Sequence, residues 1–152
     1  YVASCRNKLE FLLEVIPSKV ASITTDTTAT LIRRFYAEGI YPDWWKLEPM
    51  DEPEAWTQVC AAIEENDRHT RGIVVLGLDA PEDVLKASFE VAARFPLVKG
   101  FAVGRTIFGS VARGWFEGSI SDEEAVDEMA KRYSRLCTVW DGARARVQEA
   151  AE

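Results

Sequence analysis

Four apolar segments recur along the chain about every 30 residues, the length of a βαβ unit, and each is followed by a segment of helical periodicity. The apolar segments have the length and the β-branched content of buried strands. They span 11–16, 44–48, 72–78 and 98–103. A crossover of this length joins parallel strands, so the pattern predicts an α/β fold with a parallel sheet that helices cover on both faces.

Residues typical of helix ends separate the strands from the helices. Asp26 is a candidate N-cap for the first helix, and Gly39 is its expected end. The run Asp51 to Glu54 predicts a helix start with a capping-box carboxylate and a proline in the first turn. Asp79 is expected to cap the third helix, and Ser121 is expected to open a long C-terminal helix.

Two architectures accommodate four strand–helix units in sequence. One is a small open doubly wound sheet, and the other is half of a (β/α)8 barrel. A complete barrel needs about 250 residues, whereas the chain has 152. The start at Tyr1 rather than Met, together with charged residues inside strands, favours the half barrel. We therefore expect residues 1–152 to be a single domain that is a fragment of a larger barrel.

Charge and cysteine content narrow the class of protein. The net charge of -7 and the pI near 4.9 disfavour binding to nucleic acid or to anionic membrane surfaces. Cys5, Cys60 and Cys137 lack the paired spacing of a zinc or redox motif, so we expect them to be reduced. With His69 as the single histidine, a multi-histidine zinc site is excluded. No membrane-span or secretion-signal pattern occurs, which predicts a cytoplasmic protein.

Among the charged residues inside the predicted strands, Glu14, Lys46 and Glu48 are the candidate catalytic residues. Alternation puts Lys46 and Glu48 on one side of their strand, near its carboxyl end, where barrel enzymes keep their chemistry. A desolvated lysine there can attack a carbonyl and form an imine, and Glu14 can then shuttle protons. In the alternative interpretation, Lys46 forms only a structural ion pair with Glu14 or Glu48, which fixes the strand register.

A glycine, an arginine and a hydroxyl follow the fourth strand as Gly104-Arg105-Thr106. Exposed amides at a helix N-terminus bind anions, and arginine adds a forked cation, so this segment predicts a phosphate site. Gly77 after the third strand would supply the neighbouring loop. Alternatively, Gly104 marks only a tight turn and Arg105 is an ordinary surface charge.

Three strings in this sequence form a recognisable set: Leu13-Glu14-Val15-Ile16-Pro17, Asp43-Trp44-Trp45-Lys46-Leu47-Glu48-Pro49 and Gly100-Phe101-Ala102-Val103-Gly104-Arg105-Thr106-Ile107-Phe108. In order and spacing they resemble the class I (Schiff-base) aldolase domain fused to the inositol-pathway kinase for 5-dehydro-2-deoxygluconate, a relative of tagatose-bisphosphate aldolase. The resemblance runs from Leu9 to about Trp140 and covers only the second half of such a domain. It therefore implies the C-terminal half of a (β/α)8 TIM barrel, with four βα units and a C-terminal helix.

The resemblance also implies roles for particular residues. Lys46 would form the Schiff base, and Glu14 would be the proton shuttle. The phosphate would be bound by Gly104 and Arg105, with Gly77 and Leu78 on the adjoining loop. The implied reaction is retro-aldol cleavage of 2-deoxy-5-keto-gluconate 6-phosphate to glycerone phosphate and malonate semialdehyde, and it requires neither a cofactor nor a metal.

Two other functions remain open from the sequence. In a metal-dependent aldolase, Glu14 and Glu48 would bind a divalent cation. In a non-catalytic reading, the domain binds a phosphosugar and serves a sugar kinase attached to it. Four strands leave exposed edges, so we expect the chain to associate with the missing N-terminal half-barrel or to form a homo-oligomer.

Overall fold

The computed structural model describes residues 1–20 and 22–150, so that the last two residues of the predicted domain lie outside the described part. The strands are β1 (Leu12–Val15), β2 (Trp44–Leu47), β3 (Gly72–Leu76) and β4 (Val98–Ala102). The helices are α1 (Val2–Arg6), α2 (Thr27–Ala37), α3 (Pro53–Asn66), α4 (Glu82–Ala92), α5 (Arg105–Phe116) and α6 (Asp122–Glu149). A 3-10 turn, Pro17–Lys19, follows β1.

All strand pairs are parallel, and the strand order is β1-β2-β3-β4. The predicted α/β fold with a parallel sheet is therefore confirmed, with each strand one to two residues shorter than predicted at its ends. Strand order in a doubly wound sheet reverses at one point. The order of the described strands has no such reversal, which is against the doubly wound alternative.

Most of the predicted helix boundaries agree with the structure. Gly39 (φ 75°) directly follows the residue that caps α2 and has the left-handed conformation that favours glycine there. Ser121 forms the predicted capping box with Glu124 at the start of α6. Pro53 opens α3, but the expected capping-box hydrogen bond does not form there.

One prediction about a helix N-terminus is wrong, a second is confirmed without its side-chain hydrogen bond, and one short helix was not predicted. Asp79 does not cap α4, because Leu78 and Asp79 enter a tight turn with φ of 49° and 63° and the helix begins only at Glu82. Asp26 is the N-cap of α2, but its carboxylate accepts a hydrogen bond from the Thr24 hydroxyl (2.6 Å) instead of from a helix amide. The short helix α1 was not predicted.

The hydrophobic core lies between the helices and one face of the sheet. Strand residues of the core alternate with residues of the opposite face, as the period of two requires. Core strand residues are Val15, Trp45, Leu47, Ile73, Val75 and Val98. They pack against buried side chains of α2, α3, α4 and α6.

The opposite face of the sheet, which we call the open face, carries Leu12, Glu14, Trp44, Lys46 and Val74, all half-buried or exposed. Leu12 retains 45% of its accessible surface. We predicted that helices cover both faces of the sheet. Among the described residues, helices cover only the core face, so this prediction is wrong. None of the described helices is long and apolar enough to span a lipid bilayer.

Candidate functional site

The register of β1 and β2 brings together two of the three predicted catalytic residues, Glu14 and Lys46. Glu14 is the register partner of Lys46 in the parallel pair. Both side chains project from the open face, and the Lys46 Nζ lies 2.8 Å from the Glu14 Oε1. The side chains retain 25% and 43% of their accessible surface, so solvent reaches the ion pair.

The neighbours of Lys46 in the strand fix its direction. Trp45 and Leu47 are completely buried on the helix side. The Trp45 indole N–H donates a hydrogen bond to the Tyr36 hydroxyl of α2 (3.1 Å), and burial raises the pKa of Tyr36 to about 12. Because both flanking side chains are held in the core, the alternation of the strand directs Lys46 to the open face.

Glu48 has a partner that the sequence analysis missed. It follows the last residue of β2, and its side chain is 5% exposed. Its carboxylate accepts hydrogen bonds from the Ser18 backbone N–H (3.2 Å) and from the Ser18 hydroxyl. Glu48 therefore ties the 3-10 turn after β1 to the end of β2.

A cavity of about 280 Å³ lies at the carboxyl ends of the strands. Six of the seven residues predicted to form the site line this cavity: Glu14, Lys46, Gly77, Leu78, Gly104 and Arg105. Glu48 is not among its lining residues. The sequence analysis did not assign Lys19, Asp79 and Phe108 to this site, although all three line the cavity. Each lies shortly after the carboxyl end of a strand, and that position was the available signal.

The loop after β3 is tightly constrained at Gly77. A Cβ at this position would lie 2.9 Å from the Val103 Cγ1, so only glycine fits without displacement. The two left-handed residues Leu78 and Asp79 follow, and the Ala80 N–H closes the turn on the Gly77 carbonyl (2.8 Å). A left-handed leucine is strained, and such strain is common at functional sites. Among the described residues, the backbone N–H groups of Leu78 and Asp79 form no hydrogen bond.

The loop after β4 leads directly into α5. Gly104 is the N-cap, and the first amides of the helix, at Arg105 and Thr106, have no partner within the helix. The Thr106 hydroxyl donates to the Ala80 carbonyl (3.1 Å), which joins this loop to the loop after β3. The Arg105 guanidinium lies 3.7 Å from the Asp79 carboxylate. This arrangement brings unpaired amides and a guanidinium together at one end of the cavity, as an anion site requires.

The chain matches one protein family along most of its length. The sequence profile of the family matches residues 1–144, and the family is described as "Uncharacterized protein conserved in bacteria (DUF2090)". This range includes all four strands and every residue that lines the cavity. No curated protein matches the chain. The description specifies no reaction, so the function is inferred from the geometry of the site.

Proposed function

The chain belongs to the DUF2090 family, and we propose that it is a carbon–carbon lyase that forms a Schiff base at Lys46. The observation that carries this proposal is the Lys46–Glu14 pair in a cavity that Arg105 and the start of α5 also line. An amine, a carboxylate and an anion site in one cavity are the groups needed to bind a phosphorylated ketone and convert it to an imine.

We propose that the sheet is the C-terminal half of a (β/α)8 barrel. Sequential order of parallel strands with helices on one face supports this fold, because barrel strands follow one another in chain order. Barrel enzymes have their active sites at the carboxyl ends of the strands, often with phosphate bound by the last two loops. The cavity lies at the carboxyl ends of the strands, and the loops after β3 and β4, which would bind the phosphate, both line it.

The proposed reaction uses Lys46 as the nucleophile. Its neutral amine attacks the keto carbon, the carbinolamine loses water, and a protonated imine forms. The bond between the α carbon and the hydroxyl-bearing β carbon, counted from the imine carbon, then breaks, and its electron pair moves toward the imine nitrogen to give an enamine. The hydroxyl proton of the departing aldehyde goes to a base, after which protonation and hydrolysis of the enamine return the free amine.

Glu14 is the proposed proton shuttle because it is the carboxylate in contact with Lys46. It accepts a proton from the lysine ammonium before the attack and donates one to the carbinolamine hydroxyl as water leaves. The 2.8 Å separation is within the distance for direct proton transfer.

The proposed substrate class is a phosphorylated keto sugar acid, with 2-deoxy-5-keto-gluconate 6-phosphate as the specific candidate. Its phosphate is bound by Arg105, the first amides of α5 and the amides of the Gly77-Leu78 loop. Its products are glycerone phosphate, which carries the imine until hydrolysis, and malonate semialdehyde.

The metal-dependent alternative has less support from the arrangement of the carboxylates. It needs Glu14 and Glu48 to share one cation, but Glu14 pairs with Lys46 and Glu48 is bound to Ser18. Among the described residues, no group of three metal-ligating side chains occurs. The two mechanisms differ in chelator sensitivity, because a Schiff-base lyase keeps its activity in EDTA.

We further propose that the open face packs against additional strands, either those of the N-terminal half-barrel or those of a second copy. The support is the exposed Leu12 and the partly exposed Trp44 and Val74, together with the unpaired outer edges of β1 and β4 among the described strands. Light scattering at high protein concentration tests self-association. A purely monomeric chain that also fails to bind an N-terminal half-barrel contradicts this part of the proposal.

Borohydride trapping tests the proposed mechanism. The protein is incubated with glycerone phosphate or with 2-deoxy-5-keto-gluconate 6-phosphate, reduced, digested and mapped by mass spectrometry. We expect a stable adduct on Lys46 and no adduct in the Lys46→Met variant. Lys86→Met is the matched control, because Lys86 is an exposed lysine of α4 outside the cavity. If a folded protein binds the phosphosugar without an adduct, the non-catalytic reading replaces this one.

A further inference from the structure

Lys19 is a third cation in the Lys46 cavity. It is the last residue of the 3-10 turn after β1, and it lines the cavity together with Lys46 and Arg105. β1 and β4 are the first and last strands of the sheet order. Lys19 follows β1 and Arg105 follows β4, so cations lie at both ends of the cavity with Lys46 between them.

The charges of the cavity are not balanced. Its carboxylates are Glu14, which pairs with Lys46 at 2.8 Å, and Asp79, which lies 3.7 Å from Arg105. No carboxylate of the described residues lies within salt-bridge distance of Lys19. Three cations and two carboxylates leave an excess positive charge, and the cation without a partner is at the end opposite the phosphate site.

Glu48 holds the turn that carries Lys19. Its nearly buried carboxylate accepts two hydrogen bonds from Ser18, the residue immediately before Lys19. Hydrogen bonds to a charged group are stronger than those between neutral groups. The backbone at Lys19 is therefore anchored to the end of β2, only two residues beyond Lys46.

We propose that Lys19 binds the carboxylate of the substrate and that Glu48 is a positioning residue that holds the Lys19 turn. This inference rests on the proposed function and adds the basis of specificity for an acid over a neutral sugar. With the phosphate at Arg105 and the keto carbon at Lys46, the rest of the sugar chain extends toward β1, where the Lys19 ammonium meets its acidic end.

The test compares two phosphorylated ketones that differ at the end away from the phosphate. 2-Deoxy-5-keto-gluconate 6-phosphate ends in a carboxylate, whereas fructose 1-phosphate has the same chain length and ends in a hydroxymethyl group. The half-saturating concentration for trapping on Lys46 is measured for each ligand. We expect Lys19→Gln to raise the half-saturating concentration of the acid about fivefold, which is the effect of losing one solvent-exposed charge pair. The half-saturating concentration of fructose 1-phosphate should stay unchanged.

Two further variants extend this comparison. Ser18→Ala loses the hydroxyl bond to Glu48, so we expect a smaller change in the same direction that is again limited to the acid. Lys86→Gln, an exposed lysine outside the cavity, is the control and should change neither value. Equal shifts for both ligands in Lys19→Gln, or no shift for either, overturn the proposed role of Lys19.

A separate titration distinguishes failure of this inference from failure of the Schiff-base proposal. If the wild type gives no adduct with either ligand, the imine mechanism is refuted. Malonate, which has no carbonyl that can form an imine, is then titrated against the wild type and Lys19→Gln by NMR. Weaker malonate binding in the variant supports the carboxylate site by itself, whereas equal binding overturns it.

Discussion

Lys46→Met and Glu14→Gln, made singly and together, separate a catalytic lysine from an ion pair that only stabilises the sheet. The two groups are 2.8 Å apart, but their side chains keep 25% and 43% of their accessible surface. Solvent screens a pair of this exposure, so we expect a coupling free energy of about 0.2–1 kcal/mol. Removing one partner of a pair buried from solvent instead costs about 3–5 kcal/mol.

Urea unfolding, followed by the fluorescence of the five tryptophans, provides the free energies for this double-mutant cycle. The coupling should decrease in 1 M NaCl, where the Debye length falls to about 3 Å. The same variants are tested by borohydride trapping, and we expect Lys46→Met to remove the adduct while the protein stays folded. A coupling above about 2 kcal/mol contradicts the argument that solvent screens the pair, and it favours the structural interpretation.

Three further predictions concern the packing and the titration of the fold. Gly77→Ala should destabilise the protein by about 1–3 kcal/mol in urea unfolding, because the added Cβ would lie 2.9 Å from the Val103 side chain. Gly100→Ala is the control and should show no such loss, because a Cβ at that position has no atom within 4 Å. Burial raises the pKa of Tyr36 to about 12, above its usual value near 10, because the folded state disfavours the charged phenolate. The stability that Tyr36 contributes is therefore complete below pH 10, and about 2–3 kcal/mol of it is lost by pH 12. The free energy of unfolding of Tyr36→Phe, measured from pH 8 to pH 12, should lack this loss. If the variant loses as much stability as the wild type, the loss does not come from Tyr36. Burial also raises the pKa of Cys60 to about 11, so its thiol should react slowly with DTNB at pH 8 in the native protein and rapidly in urea; equal rates would be the contrary result.

The strand–helix order could be predicted because it depends on local patterns. Apolar segments, candidate caps and stop glycines are read within a few residues, and the structure has the four parallel strands at the predicted places. The prediction for Asp79 was wrong for a physical reason. Its role depends on the turn at Leu78, which is set by the close approach of Gly77 to Val103 across two strands.

The candidate site was predictable in composition but not in all of its contacts. Strand alternation placed Glu14 and Lys46 on the open face, and their contact follows from the register of β1 and β2. Alternation also suggested that Glu48 would act beside Lys46, but β2 ends at Leu47 and the carboxylate bonds to Ser18 instead. Lys19 was missed because its one sequence signal, a position shortly after a strand, is shared by neighbouring residues and does not single it out.

By itself, the sequence determined the class of fold, the order of its elements and the residue types available for chemistry. These depend on hydrophobic periodicity and on backbone preferences, both of which act over short stretches of chain. Only the tertiary structure decided which charges meet. The contact of Glu14 with Lys46 spans 32 residues and that of Ser18 with Glu48 spans 30, and such contacts form only when parallel strands pair in one register.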